Sequence, residues 1–431
     1  MNVWNRIKTG SASSMSSSPW RVYGRLAITG DEVACLMVEE GTTIGMLRAS
    51  FASVLQTKSG KPIVQLMSNG QLLQDALCLG DAGLSDGCSV ELLYTLGPDS
   101  IITASNDCTA RVFSRTSARS LVLQGHFGEV YTCILSPDQR HLVTASSDTT
   151  ARIWEASDDE VIERHRLDHD GEVFSAVFSH CGTFVATASE DATENMWRVD
   201  GGEKIWSYAH EDEVYLCTFA ADDQIVLTAS ADCTAALISC AGICLATLKG
   251  HGAAVNRAEF SPDGALLVTA SMDGTARIWE RRGERERCLL RGVSEAEVKY
   301  ASFSADSQLV FLTRSNGHAE VFGSGGHLLW TFLHHTEPVY MAASCPSSTY
   351  LALACEDGQA TVWDLKGGKH VMTLKHRDAI TWISFSCCGK LLLTSSWDGT
   401  AKVWSDAGEC LETLEEHAAP VIYAEFGTLE T

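Results

Sequence analysis

A regular repeat limits what this chain of 431 residues can fold into. A short turn centred on Asp or Asn recurs eight times, each copy 41 or 43 residues after the one before. Self-similarity at a fixed period of this length indicates a repeat architecture, in which each unit packs on its neighbours. The eight turn residues are Asp107, Asp148, Asp191, Asp232, Asp273, Asn316, Asp357 and Asp398.

Each unit has the pattern of four short β-strands. In residues 126–167 the apolar runs VYTCIL, HLVTAS and TARIW are followed by EVIERHRL, with polar turns such as Ser-Pro-Asp between them. Runs rich in β-branched and aromatic residues between Pro, Asp and Gly predict strands and turns. Four strands in about 40 residues predict one blade of a β-propeller.

From Asp99 onward the repeats resemble the WD40 family of β-propellers. Counting strands predicts eight blades, with the last strand, 420–426, closing the blade that begins at Ile101. Closure removes exposed sheet edges. Seven blades remain an alternative, because the unit around Asn316 is degenerate. The signature tryptophans are Trp154, Trp197, Trp279, Trp363 and Trp404.

The resemblance implies a hydrogen-bonded chain of His, Ser or Thr, Asp and Trp within each blade. A catalytic triad would occur once, whereas this set recurs at constant spacing, so it predicts a structural part. The sixth unit has Ser294, Arg314, Asn316 and Phe322 at these positions and is predicted to be held by apolar packing alone. The complete sets are His126, Ser146, Asp148 and Trp154; His169, Ser189, Asp191 and Trp197; His251, Ser271, Asp273 and Trp279; and His376, Ser396, Asp398 and Trp404.

The N-terminal part has a different organisation. Residues 1–19 are Ser-rich and are predicted to be disordered. Residues 20–97 give two strands, a helical spacing and two further strands, an order that resembles ubiquitin. The resemblance implies a small α+β ubiquitin-like (β-grasp) domain, followed by the mainly β propeller over 98–431. It also implies a docking patch at Ile28, Met67 and Leu93, and an inert folding cap is the alternative.

Composition limits the partners. The net charge of −23 disfavours nucleic acid and anionic membranes, and no apolar run reaches the length of a membrane span. The 16 cysteines fall mostly in strand patterns without metal-ligand spacing, so a reducing, cytoplasmic location and no metal or cofactor are expected, with nucleus and cilium left open. No phosphate loop or unique nucleophile–base pair points to an enzyme.

Two sets of positions are predicted to face one mouth of the ring. One follows the first apolar residue of each first strand, and the other precedes each turn Asp. Together they place aromatic rings beside carboxylates, which suits a Lys or Arg side chain. The predicted binding residues are Tyr131, Phe174, Tyr215, Tyr340, Trp397, Glu129, Glu172, Glu190 and Glu213.

The sequence therefore predicts a non-catalytic scaffold or adaptor, a monomer within a larger assembly. The propeller is expected to bind a basic segment of one protein, and the N-terminal domain to dock a second. One alternative is a substrate receptor of a ubiquitin ligase, because WERR at 279–282 and WDLK at 363–366 resemble the W-D-x-R motif of such receptors. Another is a resemblance to eight-bladed WD40 adaptors that deliver dynein arms into cilia.

Overall fold

The computed structural model describes residues 100–115, 119–156, 160–281, 286–290 and 292–427, together with the backbone of six earlier strands. The chain divides into two compact units, one with residues 1–100 and 114–119 and the other with the remainder. All elements in these described parts are β-strands. Within these residues the structure has no helix that is long and apolar enough to cross a membrane.

The first unit contains one mixed sheet. Its strand order is β1-β3-β2-β6-β4-β5, with β2 and β6 parallel and β4 and β6 antiparallel, where β1 to β6 are Asn5–Arg6, Trp20–Leu26, Glu32–Val38, Ile63–Ser68, Gln71–Leu72 and Cys88–Thr95. The predicted helix and Ile28 lie outside the described residues. The ubiquitin-like assignment and the predicted domain boundaries stay predictions.

The second unit is a ring of eight four-stranded blades. Blade 1 joins its two ends: β7 (Ser100–Ser105), β8 (Thr109–Ser114) and β9 (Arg119–Gln124) form a sheet with β38 (Val421–Gly427), in the order β38-β7-β8-β9. The ring thus closes with a strand from the far end of the chain, as the strand count predicts. The eight-bladed prediction is confirmed, and the seven-bladed alternative is wrong.

Blades 2 to 8 each use four consecutive strands, numbered β10 to β37. In chain order these are Val130–Leu135, His141–Ser146, Thr150–Ala156 and Val161–Asp168 in blade 2; Val173–Phe178, Phe184–Ser189, Thr193–Arg198 and Lys204–Ala209 in blade 3; Val214–Phe219, Ile225–Ser230, Ala235–Ser239 and Cys244–Leu248 in blade 4; Val255–Phe260, Leu266–Ser271, Ala276–Glu280 and Glu286–Leu290 in blade 5; Val298–Phe303, Leu309–Arg314, Ala319–Gly323 and Leu328–Phe332 in blade 6; Val339–Ser344, Tyr350–Cys355, Gln359–Asp364 and Lys369–Lys375 in blade 7; and Ile380–Phe385, Leu391–Ser396, Ala401–Ser405 and Cys410–Leu414 in blade 8.

The hydrophobic core lies between neighbouring blades. Val143 and Ile153 of blade 2, for example, pack in one cluster with Val173 and Val185 of blade 3. Inner strands are therefore covered on both faces and read as continuous apolar runs. The outermost strand of blade 3, β17, by contrast contains only exposed and half-buried residues. Burial on both faces explains why the first three strands of each unit are so apolar.

The turn between the second and third strands explains the recurring aspartate. In blade 2, Asp148 Oδ1 accepts hydrogen bonds from the Thr150 backbone N–H at 3.0 Å and from its hydroxyl at 2.6 Å. Thr149 between them has a φ of 69°, and Gly274 has 80° at the same place in blade 5. Residues other than Gly adopt this left-handed conformation at a cost. The aspartate holds the turn in that conformation.

Candidate protein-interaction site

A β-bulge at the start of the first strand orients one side chain in each blade. In blade 2, Val130 pairs with Ser146 and Thr132 with Ala145, so Tyr131 is the extra residue of the bulge. Bulges redirect side chains and often lie beside functional sites. We call the residues at this position the bulge ring, and in blades 2 to 8 they are Tyr131, Phe174, Tyr215, Asn256, Lys299, Tyr340 and Thr381.

Three members of the bulge ring form a continuous aromatic ladder across blades 2 to 4. The ring centroids of Tyr131 and Phe174 are 6.0 Å apart, and those of Phe174 and Tyr215 are 5.8 Å apart. The ring planes are tilted by 35° and 52°, and all three side chains are half-buried. The structure thus brings together three aromatic residues that the sequence predicts at one mouth.

Carboxylates accompany this aromatic ladder. Tyr131 donates its hydroxyl to Glu172 Oε2 at 2.7 Å, and Glu190 Oε2 accepts the backbone N–H of Glu172 at 3.2 Å. Burial and then the hydrogen bond to Glu172 raise the pKa of Tyr131. Burial and the charge of Glu213 do the same to the pKa of Tyr215. Both hydroxyls therefore stay protonated at neutral pH and remain hydrogen-bond donors.

The other predicted aromatic residues lie on blades 7 and 8. The Tyr340 and Trp397 rings are 6.4 Å apart, and Trp397 is 44% exposed. Burial and a hydrogen bond with Glu356 raise the pKa of Tyr340. These two residues form a second, smaller aromatic group, separate from the aromatic ladder on blades 2 to 4.

An arginine next to the bulge ring was not among the predicted site residues. Arg257 follows Asn256 along its strand, and its Cζ lies 4.4 Å from the ring centroid of Tyr300. Arg257 Nη2 donates to the Tyr300 hydroxyl at 3.1 Å and lies 3.5 Å from Glu259 Oε2. Burial raises the pKa of Tyr300 to about 12. The available sequence signal was the pair of charged residues, Arg257 and Glu259, within the first strand VNRAEF of blade 5.

The repeated chain of buried polar residues runs through a threonine. In blade 2, Trp154 Nε1 donates to Thr144 Oγ1 at 2.9 Å, and Thr144 Oγ1 lies 2.6 Å from His126 Nε2. His126 Nδ1 lies 2.8 Å from Asp148 Oδ2. Because a carboxylate only accepts hydrogen bonds, Nδ1 carries the hydrogen and Nε2 accepts from the threonine. The equivalent threonines in blades 3, 5 and 8 are Thr187, Thr269 and Thr394.

The predicted serines have a different role, which corrects the sequence interpretation. Ser146 donates to the Gly128 carbonyl oxygen at 3.2 Å and accepts the Asp148 backbone N–H at 3.1 Å. It therefore fastens the turn to the preceding loop and does not join His to Trp. Corresponding contacts are made by Ser189, Ser271 and Ser396.

Blade 6 is held by a buried ion pair, which corrects the expectation of apolar packing alone. Arg314 Nε donates to Glu320 Oε2 at 2.9 Å, and both side chains are fully buried. Arg314 Nη1 donates to the carbonyl oxygens of Gly274 in blade 5 and Ala296 in blade 6, at 2.9 and 2.7 Å. Glu320 Oε1 accepts the Val293 backbone N–H at 2.7 Å. This pair ties blade 6 to blade 5.

One cluster in blade 7 has ligand types that suit a metal ion. The ligand atoms of His335, Cys355 and Asp357 lie within 4.8 Å of one another. However, His335 uses Nδ1 for Asp357 at 2.8 Å and Nε2 for Thr361 at 3.0 Å. Burial raises the pKa of the Cys355 thiol to about 12, which disfavours the thiolate that binds metals. The cluster thus has the contacts of the His–Asp anchor found in the other blades.

The predicted docking patch of the first unit is not described at the side-chain level. Met67 lies on β4 and Leu93 on β6, and these two strands pair antiparallel. Ile28 falls outside the described residues. The patch stays a prediction.

A ring of eight blades with a repeated Asp turn and a Trp–Thr–His–Asp chain defines a class of β-propeller that generally serves as a protein-interaction scaffold and is typically non-catalytic. The family model of the WD domain, G-beta repeat, matches residues 118–155, 162–193, 202–239, 242–280, 326–364 and 368–405. The chain therefore belongs to the WD40 family.

Similarities to individual proteins cover shorter segments. The F-box-like/WD repeat-containing protein TBL1X of Mus musculus is 29% identical over 102 residues, 20% of this chain and 19% of that protein. The WD40 repeat-containing protein HOS15 of Arabidopsis thaliana is 30% identical over 105 residues, 20% of this chain and 17% of that protein. WD repeat-containing protein 86 of Homo sapiens is 45% identical over 51 residues, 12% and 14% respectively. The chain thus matches less than a fifth of the length of these relatives.

Among solved structures, the computationally designed Ika8 protein matches with a TM-score of 0.64 and 23% identity. The match covers 71% of this chain and 93% of the designed chain. Similarity at this identity shows the fold alone.

Proposed function

We propose that this chain is a non-catalytic scaffold whose propeller mouth, over blades 2 to 4, binds a basic segment of a partner protein. The observation that carries the proposal is the aromatic ladder of Tyr131, Phe174 and Tyr215 with Glu172 hydrogen-bonded to its first ring. A cation over an aromatic face contributes about 0.5–1 kcal/mol when exposed and about 2 kcal/mol when desolvated.

The loops around the aromatic ladder add charge of one sign. Residues 125–129, 169–172 and 210–213 enter blades 2, 3 and 4 and contain no Lys or Arg. Such a field attracts cationic segments and repels phosphate-bearing polymers, so a protein segment is the better partner. The acidic residues of these loops and the adjacent turn are Glu129, Asp170, Glu172, Glu190, Glu211, Asp212 and Glu213.

The same chain shows what a glutamate at this position does with a cation. Glu129, Glu172 and Glu213 each stand two residues before a ring of the aromatic ladder. In blade 6 the equivalent glutamate is Glu297, and the bulge residue is Lys299, whose Nζ lies 2.8 Å from Glu297 Oε2. In blades 2 to 4 the residue at this position is aromatic and not a lysine, so the cation would come from a partner.

A paired pull-down with cross-linking tests this proposal. The intact chain is compared with the variant Tyr131→Ala/Phe174→Ala/Tyr215→Ala, and cross-linked partner segments are identified by mass spectrometry. We expect the variant to lose partners, and the lost segments to be Lys- or Arg-rich. The matched control Asn256→Ala/Thr381→Ala changes the same position in blades 5 and 8 and should retain them. Unchanged partners in the triple variant, with an unchanged melting temperature, would refute the mouth as the binding site.

Docking of a second protein by the N-terminal unit is also part of our proposal. Its support is the sequence resemblance that places apolar residues at Ile28, Met67 and Leu93. Replacing all three with Ser should remove one group of partners and leave those of the mouth in place.

The motif behind the ligase-receptor alternative has local structural contacts. Trp279 Nε1 donates to Thr269, and Asp364 Oδ1 accepts the backbone N–H of Lys366 at 3.2 Å. Arg281 lies 2.5 Å from Asp222 of blade 4. These residues make contacts within the propeller itself, either in their own blade or with the neighbouring blade, so we favour the general scaffold over the receptor. The dynein-arm alternative has the number of blades as its support.

A further inference from the structure

We infer that the partner side chain bound by the aromatic ladder is an arginine and not a lysine or a methylated lysine. This inference rests on the proposed function and specifies its ligand. It follows from how the rings contact one another, how the carboxylates are fixed, and which cation the chain itself places on a neighbouring ring.

The rings of the aromatic ladder leave no enclosed space between them. Centroid distances of 6.0 and 5.8 Å at tilts of 35° and 52° are those of aromatic rings in direct contact. A cage for an ammonium or a trimethylammonium group needs rings on several sides of the cation. A planar guanidinium needs one open ring face, on which it stacks. The contact geometry of Tyr131, Phe174 and Tyr215 therefore favours the guanidinium.

The carboxylates are fixed at the edge of this stacking surface. The Tyr131 hydroxyl binds one oxygen of Glu172 at 2.7 Å, so the carboxylate is oriented before any ligand arrives. Glu213 lies close enough to Tyr215 for its charge to raise the pKa of that hydroxyl. A stacked guanidinium has five N–H donors in its plane and reaches carboxylates at the ring edges. An ammonium has three donors and cannot lie flat on a ring while it binds two such groups.

The propeller itself uses arginine for this combination. Arg257 Cζ lies over the Tyr300 ring, 4.4 Å from its centroid, while the guanidinium contacts the Tyr300 hydroxyl and the Glu259 carboxylate. Both residues directly follow members of the bulge ring, Asn256 and Lys299. Lys299, by contrast, pairs with the carboxylate of Glu297. Next to the bulge ring, the aromatic side chain that has a carboxylate beside it is thus paired with Arg. The carboxylate that has no aromatic side chain beside it is paired with Lys.

The test compares three peptides of equal charge. Fluorescein-labelled (Gly-Arg)4, (Gly-Lys)4 and (Gly-trimethyllysine)4 are titrated with the full chain at 150 mM salt, and dissociation constants are read from fluorescence anisotropy. We expect the Arg peptide to bind about 5- to 30-fold more tightly than either lysine peptide, the range of one added stacking contact. Phe174→Leu keeps the apolar volume but removes the central ring, so it should bring this ratio close to one. The control Tyr340→Leu, on blade 7, should leave the ratio unchanged.

The outcomes separate this inference from the proposed function. Equal binding of Arg and Lys peptides, lost in the Tyr131→Ala/Phe174→Ala/Tyr215→Ala variant, overturns the arginine preference and keeps the mouth as a basic-segment site. Tighter binding of the trimethyllysine peptide also overturns it. If the triple variant binds every peptide as the intact chain does, both the inference and the proposed function are wrong.

Discussion

A single hydroxyl group joins the histidine to the tryptophan in blades 2, 3, 5 and 8. Thr144 and Ser146 are two residues apart on one strand and therefore lie on the same face. Alternation along the strand cannot tell them apart, which is why the sequence pattern selects the serine next to the turn. The difference between the two hydroxyl groups is their depth in the blade. The His126 ring extends past Ser146 to Thr144, to which Trp154 also donates a hydrogen bond. The family resemblance and the constant spacing together were enough to predict the histidine, aspartate and tryptophan, but not the threonine.

The first prediction follows from that assignment. Thr144→Val keeps the shape of the side chain but leaves His126 and Trp154 without their shared partner. The free energy of unfolding should therefore fall by about 2–4 kcal/mol. Ser146→Ala removes contacts beside the half-exposed turn and should lower the free energy of unfolding by about 1 kcal/mol. Urea unfolding of both variants measures the difference. A larger loss in Ser146→Ala than in Thr144→Val would contradict the assignment.

A second residue-scale feature is a buried carboxyl group without a partner. Glu194 is fully buried in blade 3, and among the described residues neither of its oxygens has a hydrogen-bond partner. Burial raises its pKa to about 8. The matching position is a buried alanine in the other seven blades: Ala110, Ala151, Ala235, Ala276, Ala319, Ala360 and Ala401.

Stability should therefore depend on pH through Glu194. Below about pH 4.5 the group is protonated in both states, and between 4.5 and about 8 only the unfolded state releases its proton. The free energy of unfolding consequently falls as pH rises through this window. Glu194→Ala should be more stable than the intact chain by a margin that grows to the order of a few kcal/mol at pH 8. Thermal unfolding between pH 5 and 8 measures the margin, with Glu194→Gln as the size-matched control. A margin that does not change with pH would contradict the neutral, buried carboxyl.

In blade 6 a buried ion pair takes the place of the His–Asp anchor of the other blades. Its Arg314–Glu320 pair contacts both its own entry loop and the turn of blade 5. The sequence shows that the usual anchor is missing, because Ser294 and Asn316 replace His and Asp. It does not show the replacement, since Arg314 and Glu320 lie on neighbouring strands and only the register brings them together.

The third prediction concerns this pair. Glu320→Leu leaves a buried charge on Arg314 and should destabilise the chain by about 3–5 kcal/mol. The double variant Arg314→Met/Glu320→Leu removes both charges and should recover most of that loss. Hydrogen exchange over residues 309–323 and urea unfolding report the two effects. As a control, Arg111→Met removes one partner of a partly exposed ion pair with Glu416 and should lower the free energy of unfolding by less than about 1 kcal/mol. A double variant as unstable as the single one would show that the pair is not the anchor.

At the scale of the whole molecule, the ring depends on β38. That strand lies more than 300 residues from its partner β7 in the sequence, and it completes the sheet of blade 1. The loop before β38 adds His417, whose Nε2 lies 2.7 Å from Thr103 Oγ1 in β7. The period and the strand count were enough to predict this closure. Contacts between blades were harder to predict, because partners such as Tyr131 and Glu172 are 41 residues apart and meet only through packing.

The fourth prediction tests closure. A chain that ends before Val421 loses β38 and exposes the edge of β7, so it should associate or aggregate. A chain that ends at Gly427 keeps β38 and serves as the control. Size-exclusion chromatography with light scattering distinguishes them, and a monomeric, cooperatively melting truncated chain would contradict the dependence on β38.

The most direct test of the central claim, an acidic aromatic mouth over blades 2 to 4, is a salt-dependent titration. Anisotropy of labelled (Gly-Arg)4 is measured at 50 and 300 mM NaCl with the intact chain, with Glu129→Gln/Glu172→Gln/Glu213→Gln, and with Glu295→Gln/Glu337→Gln/Glu356→Gln on blades 6 and 7. We predict that the first triple variant weakens binding about 10-fold or more at low salt and loses most of the salt dependence, whereas the second changes it by less than about 3-fold. Equal weakening by both variants would show a diffuse charge effect, and no weakening by the first would show that the mouth is not the site.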